Sequence, residues 1–260
     1  MTKASEASAL SGKVALITGA GRGIGRAVAL ALGRAGVTLA LTARTRSQLD
    51  AVAAELDRAG AGKPMVQEMD VADPESIAAG LNRLHAALPR TDILVNNAGI
   101  AESAPLAKTS PDLWQRHLAV NATAPFLLSR ELVPAMVERR WGRVINIASI
   151  AGLGGAPYIA AYAASKHALV GLTRALAAET AGSGVTVNAI CPGYVATDMV
   201  WNGARRITEK TGKSFDEAVA AMAGFNASGK LIEPEAVAAE VLELCGEEAA
   251  GRTGLTVVLS

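Results

Sequence analysis

Seven short runs rich in Val, Ile, Leu, Thr and Ala recur along the chain: Val14–Thr18, Thr38–Thr42, Met65–Met69, Ile93–Asn96, Arg143–Ile147, Thr186–Ile190 and Leu255–Leu259. Most are continuously apolar and do not alternate, the pattern of strands covered on both faces. Between them lie longer stretches of helical character: Ile24–Ala35, Arg46–Ala59, Pro74–Ala87, Pro111–Arg139, Ala161–Thr180 and Pro234–Leu244. Strand–helix alternation throughout predicts an α/β architecture, a doubly wound parallel sheet with helices on both faces. No linker, low-complexity tract or repeat divides it, so residues 1–260 read as one domain with residues 1–11 as a flexible tail. The segment 197–233 breaks the alternation. It carries Met199, Val200, Trp201, Met222 and Phe225 and follows a strand end, so it reads both as a substrate lid and as an ordinary helix pair packed on the core.

A chain of 260 residues that is 50% hydrophobic can bury a large single core. The net charge of +1 gives no electrostatic reason to expect nucleic acid or an anionic membrane as partner, and 3% aromatics do not suit a base-stacking surface. Two cysteines, Cys191 and Cys245, make no disulfide framework and point to a reducing compartment. Met1–Ser11 has no apolar signal core, and no apolar run reaches membrane-spanning length without a charge or turn residue, so a soluble cytoplasmic protein is expected. His85, His117 and His167 have no carboxylate or cysteine at ligand spacing; they read as structural, and no metal is expected.

The first strand ends in Thr18-Gly19-Ala20-Gly21-Arg22-Gly23-Ile24-Gly25 and runs into a helix. Glycines let the backbone approach a pyrophosphate, and a helix N-terminus supplies N–H donors. The spacing is TGxxxGxG, with Ile24 where the third glycine of GxGxxG would fall. The second strand leads into Arg44-Thr45-Arg46 with no acid before Asp50. Arg44 there, with Arg22 in the glycine turn, suits a 2′-phosphate and favours NADP(H) over NAD(H). Asp70-Val71 ends the third strand, where the aspartate can accept from an adenine amino group or cap the helix before Pro74. Asn96-Asn97-Ala98-Gly99 ends the fourth; asparagines there can tie the sheet edge to a cofactor, and Gly99 leaves room for a ribose.

Tyr162 and Lys166 stand at i and i+4 in an Ala-rich helix, which stacks them on one face. A phenol is a poor proton donor or acceptor at neutral pH, and a neighbouring ammonium favours its phenolate. Ser149 ends the fifth strand thirteen residues before Tyr162, at the carboxyl edge where ligands bind in open sheets. Tyr158 has no lysine four residues on and reads as a pocket wall. Cys191 reads as a small buried filler.

The TGxxxGxG turn, Asn96-Asn97-Ala98-Gly99, Asn121, Ser149, Tyr162 with Lys166, and Pro192-Gly193 occur in an order that resembles the short-chain dehydrogenase/reductase family, from Val14 to about Thr197. The resemblance implies a Rossmann fold with a seven-stranded parallel sheet and a catalytic tetrad of Asn121, Ser149, Tyr162 and Lys166. Tyr162 would exchange the proton and Ser149 would donate to the substrate carbonyl. Lys166 would lower the phenol pKa and bind the nicotinamide ribose, and Asn121 would hold a water linking Lys166 to solvent. Gly19, Arg22, Gly23, Ile24, Gly25, Arg44, Asp70, Val71, Asn97 and Gly99 would line the cofactor, with Tyr162 and Lys166. Pro192, Gly193, Val195 and Thr197 would form the nicotinamide loop. The family packs helices like Pro111–Arg139 and Ala161–Thr180 across subunits, implying a homotetramer, and commonly continues into a Gly-Gly tail beyond Leu259-Ser260. The activity implied is NADPH-dependent ketone reduction, with a 3-oxoacyl thioester as first substrate class. Oxidation of a hydroxyacyl, sugar or steroid alcohol and a catalytically silent nucleotide sensor stay open beside it.

Overall fold

The structure, a computed structural model, describes residues 10–88 and 90–260. Residues 1–9 of the expected tail lie outside it, whereas Leu10 is buried in the core and does not belong to a tail. Seven parallel strands are present: β1 (Val14–Thr18), β2 (Thr38–Ala43), β3 (Met65–Glu68), β4 (Ile93–Asn96), β5 (Gly142–Ile147), β6 (Val185–Pro192) and β7 (Thr256–Leu259). Their order across the sheet is β3-β2-β1-β4-β5-β6-β7. The order reverses between β1 and β4, and that switch point opens a crevice at the carboxyl edge.

Nine α-helices connect them: α1 (Gly23–Arg34), α2 (Arg46–Arg58), α3 (Pro74–Ala87), α4 (Pro111–Leu118), α5 (Ala124–Glu138), α6 (Ala160–Glu179), α7 (Asp198–Thr211), α8 (Phe215–Ala223) and α9 (Pro234–Cys245) among the described residues. Successive strand residues feed opposite helical layers. Ala15 and Ile17 of β1 join Val28, Leu49 and Val241 of α1, α2 and α9, while Leu16 joins Leu81, Leu128 and Ala177 of α3, α5 and α6. Burial on both faces is why the strands read as unbroken apolar runs.

The stretch Pro111–Arg139 is not one helix. A single π turn, Ala119–Thr123, separates α4 from α5 and contains Asn121. Such a turn inserts one residue into the helical ladder and commonly marks a functional site. Nothing in the apolar periodicity announces it. Ser110 caps α4 by accepting from Leu113 N, and Asp73, not Asp70, caps α3.

One polar row crosses the core. Asn96 Nδ2 on β4 donates to Asn146 Oδ1 on β5 at 2.8 Å, and Asn146 Nδ2 donates to Thr173 Oγ1 on α6 at 2.8 Å. Among the described residues no helix is long and apolar enough to cross a membrane.

Candidate active site

The glycine turn after β1 is locked from the side by β4. Thr18 Oγ1 accepts from Asn97 N and Ala98 N, each at 3.0 Å, and Asn97 Nδ2 donates to the carbonyls of Thr18 at 2.8 Å and Gly19 at 3.1 Å. Asn97 therefore shapes the turn, tying the sheet edge to the glycine loop. Gly19 has φ +65°, and a Cβ on it would lie 2.9 Å from Asn97 Nδ2. A Cβ on Gly25 would collide with the Gly19 carbonyl. Gly25→Ala should accordingly destabilise the fold by about 1–3 kcal/mol. A shift in the urea midpoint at unchanged slope would measure this, and an unchanged midpoint would contradict it.

The other nucleotide-side residues fall along the same edge. Arg44 is exposed past the end of β2 and forms no ion pair among the described residues. Asp70 Oδ1 accepts from Ala72 N, shaping the turn after β3, and Val71 is buried behind it. Arg22 does not lean toward β2: its Nη1 pairs with Asp198 Oδ2 at 3.0 Å, joining the turn to the start of α7. Gly23, beside Ile24, has φ +53°, and a Cβ there would lie 3.1 Å from Thr197 Cγ2.

Asn121, Ser149, Tyr162 and Lys166 converge over the ends of β4 and β5. Lys166 Nζ donates to Ile147 O at 2.8 Å and stands 5.9 Å from the Tyr162 ring centroid. A Cβ on Gly99 would sit 3.2 Å from Asn121 Oδ1 and 3.5 Å from Lys166 Nζ, so the bare glycine leaves a gap between them. Ser149, at the end of β5, accepts from Ala151 N at 3.1 Å and lies beside the phenol. Both amide protons of Asn121 are engaged, one with Ile100 O at 3.0 Å and one with Ser165 Oγ at 2.9 Å. Ser165 Oγ in turn donates to Tyr162 O at 2.7 Å. Asn121 thus braces the backbone of the phenol-bearing helix, a link that its position in an apparently continuous helix did not reveal.

The electrostatics depart from expectation. Burial pushes the Tyr162 phenol up, and the Ser149 hydroxyl only partly opposes this. The Lys166 amine, turned to the Ile147 carbonyl, is itself driven down by burial to about 8. Tyr162 is accordingly a phenol held in its protonated form.

Three further groups shape the cleft. His117 is fully buried, with Nδ1 facing Leu113 O at 2.8 Å and Nε2 accepting from Glu102 N at 3.1 Å. Those partners fix the Nδ1–H tautomer, and the ring meets Tyr162 edge-on at 6.3 Å. It is structural, as expected, but structural for the site. His167 is exposed and hydrogen-bonds Ala163 O. Tyr158 is 64% exposed with φ +69°, an uncommon conformation for a bulky residue, and its carbonyl accepts from Ala104 N across the mouth. After β6, Pro192 and Val195 are buried, Val195 bridges Ile232, and Thr197 Oγ1 donates to Val195 O at 3.2 Å. Among the described residues no group of three or more His, Cys, Asp or Glu is placed to hold a metal.

A glycine-lined crevice at the switch point, with a phenol, a hydroxyl and an amine beyond it, defines a nucleotide-dependent oxidoreductase. The chain belongs to the short-chain dehydrogenase family, whose sequence model matches residues 13–207. It is 39% identical over 249 residues to a 3-oxoacyl-[acyl-carrier-protein] reductase of Pseudomonas aeruginosa, covering 95% of this chain and 96% of that one. It is 38% identical over 245 residues to an acetoacetyl-CoA reductase of Shinella zoogloeoides, covering 94% and 95%. Among solved structures, an actinorhodin polyketide ketoreductase with NADPH superposes with a TM-score of 0.90 at 35% identity, covering 95% of each chain.

Proposed function

We propose that the protein reduces the ketone of a 3-oxoacyl thioester or a similar carbonyl compound with NADPH. The observation that carries this reading is the half-buried, protonated Tyr162 phenol beside Ser149 and Lys166, across the crevice from a turn where Gly25 tolerates no side chain. The named relatives act on 3-oxoacyl and acetoacetyl substrates, and the polyketide ketoreductase was crystallised with NADPH.

The residues fit such a cofactor. Gly19, Gly23, Ile24 and Gly25 would cradle its pyrophosphate, the unpaired Arg44 would meet the 2′-phosphate, and Asp70 and Val71 would flank the adenine. Arg22 would contribute to the same phosphate by exchanging Asp198 for it. Gly99 and Lys166 would face the nicotinamide ribose, with Pro192, Gly193, Val195 and Thr197 against the carboxamide. The cofactor supplies hydride when bound. Ser149 donates a hydrogen bond to the substrate oxygen, Tyr162 delivers its proton there, and Lys166 supplies the positive charge behind it. Asn121 braces Ile100 and Tyr162 and would hold, at the π turn, a water linking Lys166 to solvent.

NADPH oxidation at 340 nm with acetoacetyl-CoA tests the reading; NADPH binding without turnover on a broad ketone panel would contradict it. Replacing Arg44 by Asp should weaken NADPH binding by ~10-fold or more relative to NADH, since a charge-assisted phosphate contact is replaced by repulsion. An unchanged ratio of the two dissociation constants would remove Arg44 from the site.

Segment 197–233 serves as the lid. Its α7 and α8 pack on each other through Val200, Ala204, Ala218 and Met222, so the cover we propose is built as a helix pair. The working form is a homotetramer of a cytoplasmic protein. Phe126 on α5 is 44% exposed beside an apolar groove formed with Ala122, Ala168 and Leu172. Pairing α5 and α6 across subunits would cover it. Sedimentation as a monomer at micromolar concentration would contradict this assembly.

A further inference from the structure

Asn226 lies in the turn after α8, is 3% exposed, and has no counterpart in the motifs that announced the site. Its Oδ1 accepts from Tyr194 N at 2.8 Å, and its Nδ2 donates to Tyr194 O at 2.9 Å and to Lys230 O at 2.6 Å. One amide thus holds both backbone polar groups of Tyr194 and ties them to the returning stem of the lid. The stems are also laced directly: Ile232 N donates to Tyr194 O at 2.9 Å, and Ala196 N to Ile232 O at 2.8 Å. The approach is close enough that a Cβ on Gly193 would collide with Asn226 Oδ1.

Tyr194 is the residue these bonds orient. Its ring packs on the lid cluster of Val200, Ala204, Ala218 and Met222 and stands 5.8 Å from Phe225. Tyr194 follows β6, whose end runs beside the end of β5 that leads to Ser149, with Ala148 N donating to Ile190 O at 2.7 Å. Tyr194 is therefore where the lid meets the strand ends that carry the catalytic groups, and its aim depends on a buried side chain from the far end of the lid.

We infer that Asn226 is a positioning residue and Tyr194 the substrate wall it aims, so that the two act as one unit in seating the carbonyl against Tyr162. This rests on the reductase reading above. A misplacement of the order of 1 Å at such a wall costs up to ~10²-fold in rate. The preferred variant is Asn226→Asp, which keeps the shape, removes both donors and turns an oxygen toward two carbonyls.

Kinetics of NADPH oxidation with acetoacetyl-CoA should be compared for the wild type, Asn226→Asp, Tyr194→Ala and the double variant, below each protein's Tm and alongside NADPH titrations. Each single variant should lose at least ~10-fold in kcat/KM for the ketone, with the NADPH dissociation constant moved less than about threefold. The double variant should be no worse than the poorer single one, because a displaced wall and a missing wall are the same defect. Additive losses would overturn the unit, as would an Asn226→Asp protein of lowered Tm but wild-type kcat/KM, which would make the amide a stabilising bond only. Wild-type silence toward ketones would overturn the reductase reading and this inference with it; an active wild type with unaffected variants would overturn the inference alone.

Discussion

Tyr162→Phe is expected to lower kcat for ketone reduction by ~10²–10⁴-fold, the usual share of a positioned proton donor, and to leave NADPH binding nearly unchanged. The substitution removes one oxygen from a ring held between the His117 edge and the Lys166 amine, so the shape of the cleft persists. Burial holds the phenol above its ordinary value of about 10, so the wild-type protein should not lose activity through ionisation of this group as the pH rises to about 9. Single-turnover measurements with bound NADPH separate chemistry from binding. A variant within threefold of wild type in that assay would assign the proton to another group.

Lys166→Met should produce an inactive yet more stable protein. Burial lowers Lys166 from an ordinary value of about 10.5 to about 8, so its charged form carries a cost of about 3 kcal/mol at neutral pH. Methionine removes that cost and forfeits the bond to Ile147 O, worth about 1 kcal/mol, for a net gain of about 2 kcal/mol at pH 7. Between pH ~8 and ~10.5 the unfolded chain holds the lysine proton and the folded chain does not, so wild-type stability rises with pH and the variant's advantage shrinks. Activity moves the other way: kcat/KM for reduction should fall as pH rises through about 8, as the ammonium is lost. Urea melts at pH 7 and pH 10, with a pH–rate profile, check both signs. A destabilised variant at pH 7, or a flat profile to pH 10, would contradict the assignment.

The two-sided apolar strands and the punctuating glycines made the sheet and its windings readable, because each reflects a local constraint that composition records directly. Spacing placed Tyr162 and Lys166 on one helix face and Ser149 at a strand end, while their catalytic roles were legible only through the family resemblance. The π turn around Asn121 was not, since Val120, Ala122 and Ala124 continue a helical pattern and the insertion changes hydrogen bonding without changing residue character. The direction of the Tyr162 shift was also hidden, because it depends first on burial, with the Ser149 hydroxyl opposing it. Asn226, and the contacts by which His117 shapes the site, were beyond reach, as each works through bonds to backbone atoms elsewhere in the chain.

The row Asn96–Asn146–Thr173 has a consequence for how the sheet assembles. In the observed register Asn96 faces Asn146 directly. Sliding β4 by one residue against β5 would set Asn96 opposite Ile145 or Ile147 and swap its side chain to the other layer, stranding two buried amides at about 1–3 kcal/mol each. Apolar strands of similar composition carry little information about alignment. A polar pair at the middle of the sheet works as a registration mark, making a slipped alignment costlier than the apolar residues alone would.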